Sequence, residues 1–140
     1  MQRAPPPLAS LPTWILSSAA TRAHQALHEQ LARVGVSGYE YRCLTSLAAL
    51  GQLGQTELGN AANLDPRDVT HTVRALEDRG LVSRESDPGH GRRILVSLTA
   101  EGRKVAGRLA TVMTEVQDTI FARLNPRERA TLLRLLERVG

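Results

Sequence analysis

Three observations predict a mainly α fold with a small β-hairpin for this chain of 140 residues. A capped helix beginning at Pro66 has one apolar and one polar face, a basic hairpin pattern follows it directly, and long helices with apolar stripes stand near both ends. Asp65 is a favourable N-cap, and Pro66 suits the first helical position because its φ is fixed and it has no N–H to leave unpaired. Asp68 adds negative charge in the first turn, where the helix dipole favours it. At about 100° per residue, Val69, Val73 and Leu76 share one face, while Arg67, Thr70, His71 and Arg74 share the opposite one. Gly80 is expected to end the helix in the left-handed conformation. Leu81–Glu85 and Ile94–Leu98 then read as two short strands around a loop from Pro88 to Arg93. The combination is a reading helix followed by a basic wing.

The remaining elements follow in order. Residues 1–10, MQRAPPPLAS, are Pro-rich, lack the continuous apolar run of a signal peptide and are expected to form a flexible arm. Pro12 to Val34 reads as a long helix, with Leu16, Ala20, Ala23, Leu27, Leu31 and Val34 forming one stripe. Gly35 stops it, and Ser37 caps a second helix from Tyr39 to Leu50 whose inner side carries Tyr41, Leu44, Leu47 and Ala48. Gln55 to Asn63 reads as a short helix opened by Thr56, with Leu58 and Ala62 turned inward and Gly59 leaving room for another backbone. Its tight junction to the Pro66 helix makes a helix-turn-helix pattern. After the wing, Thr99 caps a long helix to Leu124 with Val105, Leu109, Val112, Val116 and Ile120 as its stripe. Asn125 and Pro126 restart the chain into a last helix reaching about Arg138. There Leu132, Leu133, Leu135, Leu136 and Val139 cover more of the circumference than one packed face needs.

The fold class is therefore a winged helix-turn-helix with long N- and C-terminal dimerisation helices. Residues 11–140 are expected to form a single domain, with a DNA-binding module over about 37–99 and dimerisation helices over about 11–34 and 100–139. Terminal stripes of this length exceed what so small a centre can cover, and pairing with a second copy as a homodimer resolves the excess.

Composition narrows the function classes. A chain of this size buries roughly 68–70% of its unfolded surface, enough for a core without staples. The single cysteine, Cys43, rules out an intramolecular disulfide framework, and no stretch reaches the apolar length of a membrane span. A cytoplasmic protein with no membrane partner is expected. The net charge of +4 is compatible with a polyanionic partner, but Leu64 to Lys104 holds eight Arg or Lys against seven Asp or Glu. Placement matters more than total: Arg67 and Arg74 share a helix face, and Arg92 and Arg93 are expected at a loop tip. The chain lacks a Gly-x-Ser-x-Gly elbow, a phosphate loop and a His-Glu-x-x-His pattern, so no catalytic residue and no cofactor is expected.

Two stretches, DVTHTVRALEDRGLVSRESDP and RRILVSLTAEGR, resemble the recognition helix, wing and long-helix start of the multiple antibiotic resistance regulator (MarR) family. The resemblance spans nearly the whole chain. It implies a homodimeric transcriptional regulator, a repressor by family habit, on a pseudo-palindromic double-stranded operator, with recognition helices in major grooves and wings at flanking minor grooves. Arg67, Thr70, His71 and Arg74 would be the helix contacts, Thr56 would meet a phosphate, and His90, Arg92 and Arg93 would serve the wing. The family carries an Asp where this chain has His90. That acid braces the wing arginine in the family; a protonated His90 would instead offer a phosphate contact of its own.

The resemblance also implies a small aromatic or phenolic effector, with His24, His28, Tyr39 and Arg42 as candidate lining residues. His24 and His28 lie i, i+4 beside Glu29, a spacing compatible with a metal, yet no matching cluster stands elsewhere in the sequence and the expected reading is polar helix surface without a metal. Cys43 reads as a buried structural thiol; the alternatives are redox sensing through Cys43, or a winged helix used for protein contacts.

Overall fold

The computed structural model describes residues 7–140. Most of the expected arm, residues 1–6, lies outside the described residues, while Leu8–Ser10 form a short 3-10 turn. Helix α1 runs Pro12–Val34 and ends at Gly35, whose φ is 88° and whose N–H bonds the Ala32 and Leu31 carbonyls. Helix α2, Gly38–Leu50, opens with a full capping box: Glu40 N–H donates to Ser37 Oγ at 3.1 Å and Ser37 N–H donates to Glu40 Oε1 at 2.8 Å.

A two-residue strand β1, Leu53–Gly54, then leads into α3, Gln55–Ala62. Asn63, at φ 54°, is the only non-glycine residue with positive φ among the described residues, and it turns the chain into α4, Pro66–Asp78. Asp65 Oδ1 accepts the Asp68 N–H at 2.8 Å, and Gly80 stands at φ 73°, so both ends of α4 form as expected. Strands β2, Val82–Asp87, and β3, His90–Leu98, make the hairpin, and β1 adds to its other edge in the order β1-β3-β2, all antiparallel. Leu53 pairs Val96 and Gly54 pairs Leu95. Helices α5, Ala100–Ile120, and α6, Pro126–Leu136, complete the chain.

The core sits where α2, α3, α4, α5 and the sheet meet, with Leu44, Leu58, Val73, Leu76, Val96 and Leu109 fully buried. Two close approaches make this possible. A Cβ on Gly59 would stand 3.2 Å from the Leu64 carbonyl oxygen and from Val69 Cγ1, so a side chain there would press the helix-turn-helix apart by a few tenths of an ångström. A Cβ on Gly102 would overlap the Leu81 carbonyl oxygen, where the start of α5 crosses the corner between α4 and β2. Thr99 ties that corner: its hydroxyl donates to the Gly80 carbonyl at 2.6 Å and accepts the Gly102 N–H at 3.0 Å.

Several expectations change. The hairpin strands extend further than alternation alone indicates, leaving Pro88 and Gly89 as the turn and placing His90 to Arg93 on β3, so Arg92 and Arg93 are not loop-tip residues. Thr56 does not cap α3: its N-cap is Gly54, with no side-chain cap bond. Ala48 is exposed, and Cys43 takes the buried position on α2 instead. Helix α5 stops at Ile120 rather than Leu124, since Phe121 to Leu124 form a turn ahead of the Asn125 cap. Asn125 precedes a proline, which disfavours helical backbone at that residue. Helix α6 stops at Leu136, before Arg138.

Candidate nucleic-acid interface

Helix α4 divides cleanly. Val69, Thr72, Val73 and Leu76 are buried against the core, while Arg67, His71 and Arg74 are exposed on the far side. Neither Arg67 nor Arg74 takes part in a salt bridge among the described residues. Thr70 stands on the flank, half-buried: its hydroxyl donates to the Pro66 carbonyl at 2.7 Å and accepts from Gln55 Nε2 at 3.0 Å. It fixes α3 to α4 as much as it presents a polar group. Thr56 is exposed in the first turn of α3, where the backbone N–H groups of the helix end attract negative charge.

The wing lies beside α3, and a cleft of about 770 Å³ between them is lined by Gln55, Thr56, Glu57, His90, Arg92 and Arg93. His90 and Arg92 are exposed on β3. Arg93 is engaged twice: one terminal nitrogen bonds Glu57 Oε1 of α3, and the other donates to Asp87 Oδ2 of β2 at 3.1 Å. The Gly89 N–H, donating at 2.9 Å, holds the Asp87 carboxyl below the ordinary aspartate range, with the Arg93 and His90 charges acting in the same direction. Glu57 first, then Asp87, pushes the Arg93 guanidinium above its ordinary value.

Two anchors absent from the expected set tie distant parts of the fold together, one at the end of α4 and one across the sheet. Arg79, just past α4, donates to Glu40 Oε2 and to the Gly35 carbonyl, each at 2.8 Å, joining the end of α4 to the α1–α2 corner. Gln52 Nε2 donates to Ser97 Oγ at 2.8 Å and Glu85 Oε1 at 3.2 Å across the sheet. Both link residues more than thirty positions apart, and neither has a local pattern to reveal it.

The four candidate effector residues lie on the surface: His24, His28, Tyr39 and Arg42 are all exposed. Arg42 lies over the Tyr39 ring at 5.5 Å and donates to the Asn63 carbonyl at 3.4 Å, while His28 packs beside Gly38. No group of three or more potential metal-ligating side chains occurs among the described residues. Cys43 is fully buried, and burial pushes its thiol up to about 11, which keeps it protonated and unreactive at neutral pH. No described helix is long and apolar enough to cross a membrane.

A different surface carries the apolar excess. A groove between the N-terminal half of α1, the end of α5 and α6 is lined by Ile15, Leu16, Ala19, Ile120, Leu132 and Leu136 among others. Trp14, Ile15 and Leu16 on α1 and Leu133, Leu135 and Leu136 on α6 are exposed, and α6 has no buried residue.

Comparison with known proteins agrees with this architecture. Residues 37–94 match the family model of the MarR family. The HTH-type transcriptional repressor Rv2887 of Mycobacterium tuberculosis is 32% identical over 110 residues, covering 79% of this chain and 79% of that protein. The PcaV transcriptional regulator from Streptomyces coelicolor, solved in complex with its natural ligand, superposes with a TM-score of 0.80 at 30% identity, over 98% of this chain and 96% of that one. A mutant MarR from Escherichia coli complexed with operator DNA shares the fold, with a TM-score of 0.80 at 22% identity over 89% of this chain and 90% of that one. With a wing beside a helix-turn-helix and a repressor 32% identical across 79% of its length, this chain belongs to the MarR family of winged helix-turn-helix transcriptional regulators.

Proposed function

We propose that the protein represses transcription by binding a pseudo-palindromic double-stranded operator as a homodimer, with α4 in the major groove and the wing at the flanking minor groove. The observation that carries this reading is the α4 face on which Arg67, His71 and Arg74 stand exposed over a fully buried opposite face. Arginine bonds guanine O6 and N7 in pairs, so Arg67 and Arg74 are assigned to base reading with His71, and Thr70 to the edge of the same surface. Thr56, His90 and Arg92 position the duplex through phosphate and groove shape. Arg93, held by Glu57 and Asp87, is left out of this set.

The second copy is argued from the groove of α1, α5 and α6. Its exposed leucines and isoleucine lie away from α4 and the wing, on the terminal helices assigned to dimerisation, and a symmetric partner would cover them. A small aromatic or phenolic effector acting near His24, His28, Tyr39 and Arg42 is part of the proposal, supported by the ligand complex of PcaV and by the Arg42–Tyr39 stack at the α1–α2 side. Release requires that such a molecule bind the DNA-incompetent form more tightly. No catalytic role is assigned, and the protein is placed in the cytoplasm with its DNA.

Selection of bound duplexes from a random-sequence library, followed by titration at increasing salt, tests the reading. It predicts an inverted repeat with half-site centres one helical turn, about 34 Å, apart, bound by two chains with affinity falling steeply as salt rises. Absence of duplex binding even at low salt contradicts it.

A further inference from the structure

We propose that Arg93 is a positioning residue that locks the wing onto α3, leaving its neighbour Arg92 to meet the DNA. The proposal rests on the DNA-binding reading above. Arg92 and Arg93 both line the cleft between the wing and α3, and their contacts separate them: Arg93 is paired with Glu57 and Asp87, whereas Arg92 forms no salt bridge among the described residues. The contacts decide which arginine does which: Arg93 is the one bonded to Glu57 of α3 and to Asp87.

The contacts form a continuous path. Gly89 N–H donates to Asp87 Oδ1, Asp87 Oδ2 accepts from Arg93 Nη1, and Arg93 Nη2 donates to Glu57 Oε1 in the first turn of α3. This path reaches the part of the wing that backbone pairing supports least. β1 pairs only Leu95 and Val96 of β3, and in the segment before them β2 pairs only His90 and Ile94, the register shift between Ser86 and Asp87 leaving Gly91, Arg92 and Arg93 without a strand partner. A two-stranded ribbon of this kind is marginal by itself. The space that the bridge occupies is kept by Gly54: a Cβ there would stand 2.8 Å from Arg93 Nε and 2.8 Å from Glu57 Oε1. Both are flexible side-chain atoms, so an alanine at 54 displaces the bridge rather than the backbone.

The charge balance argues against Arg93 as a phosphate contact. Two carboxylates answer its single positive charge, so the cluster as a whole is negative toward an approaching phosphate. Exposed ion pairs add little to overall stability, and the effect expected here is on the wing's placement.

Glu57→Gln gives opposite signs for the two roles. If Arg93 contacted DNA directly, removing the acid would release the arginine, lower the negative charge of the surface and tighten binding. The positioning role predicts weaker binding, by about three- to tenfold, to a duplex selected from a random library with wild-type protein. Gly54→Ala, which keeps every charge, is expected to weaken binding in the same range, and Arg93→Lys to retain more affinity than Arg93→Ala. Amide hydrogen exchange supplies a readout independent of DNA: in Glu57→Gln, residues 87–94 should exchange faster while α4 and α5 keep their protection. Affinity unchanged or increased in Glu57→Gln, or unchanged wing exchange in both Glu57→Gln and Gly54→Ala, overturns the proposal. Wild-type protein that binds no duplex overturns the DNA-binding reading instead, while the exchange result still reports whether the bridge holds the wing.

Discussion

The polar face of α4 and the outer edge of the wing both carry arginines, and they hold them by different means. Arg67 and Arg74 project from a helix whose opposite face is locked into the core by Val69, Val73 and Leu76, so their aim comes from packing and their charges stay available. Arg92 projects from a ribbon with little core beneath it, and its neighbour Arg93 is spent on two carboxylates that tie the ribbon to α3. Packing aims the helix; charge pairing aims the wing. Acid or salt should therefore disturb the second before the first.

The largest effect tests the packed side. Leu76→Ala removes a fully buried side chain beneath the reading face and is expected to lower stability by about 2–5 kcal/mol, read by urea unfolding. A loss under half a kilocalorie would mean that α4 is not supported as described. Next, Arg74→Ala should weaken binding to a selected duplex by about 1–3 kcal/mol while leaving stability within about 0.5 kcal/mol of wild type. Arg92→Ala should act through charge instead, lowering the salt slope by about one for the loss of one phosphate contact.

Acid supplies a smaller effect confined to the wing. The Asp87 carboxyl is held below its ordinary range, so the ionised form is favoured in the folded wing: its stabilisation is present at neutral pH and is lost as pH falls through the lowered value. Nuclear magnetic resonance of the Gly89 and Arg93 signals should show the hairpin loosening on acidification before α4 does. The smallest effect is at Cys43, whose thiol is raised to about 11 inside the core. Iodoacetamide at neutral pH should leave it unmodified in native protein and label it in denaturant, as mass spectrometry would report. Rapid native labelling would restore the case for redox sensing.

The α4 half of the comparison is legible in the sequence and much of the wing half is not. Asp65, Pro66 and Gly80 mark the ends of α4, and the spacing of Val69, Val73 and Leu76 marks its inner face, because caps and helical periodicity are local. The reading face follows as its complement, with Thr70 shifted to the flank by its bonds to Pro66 and Gln55. Strand β1 is too short to show alternation and exists through pairing with Val96 and Leu95, some forty residues later in the chain. The role of Arg93 depends on Glu57, 36 residues before it, and the Arg79 anchor depends on Glu40, 39 residues away. Such pairs leave no periodic trace. Nor does the period-two rule separate Arg92 from Arg93, because both fall in the register shift between His90 and Ile94, and the Pro-Gly-His-Gly run reads locally as loop and hides the strand's first residues.

The most direct test of the central claim is duplex selection from one random library with wild-type protein, Arg74→Ala and Arg92→Ala in parallel. The account predicts that Arg74→Ala loses its preference at a defined symmetric position of the recovered motif, while Arg92→Ala recovers the wild-type major-groove motif with lower affinity. A wild-type motif from Arg74→Ala, or a changed half-site from Arg92→Ala, would contradict the assignment of sequence reading to α4.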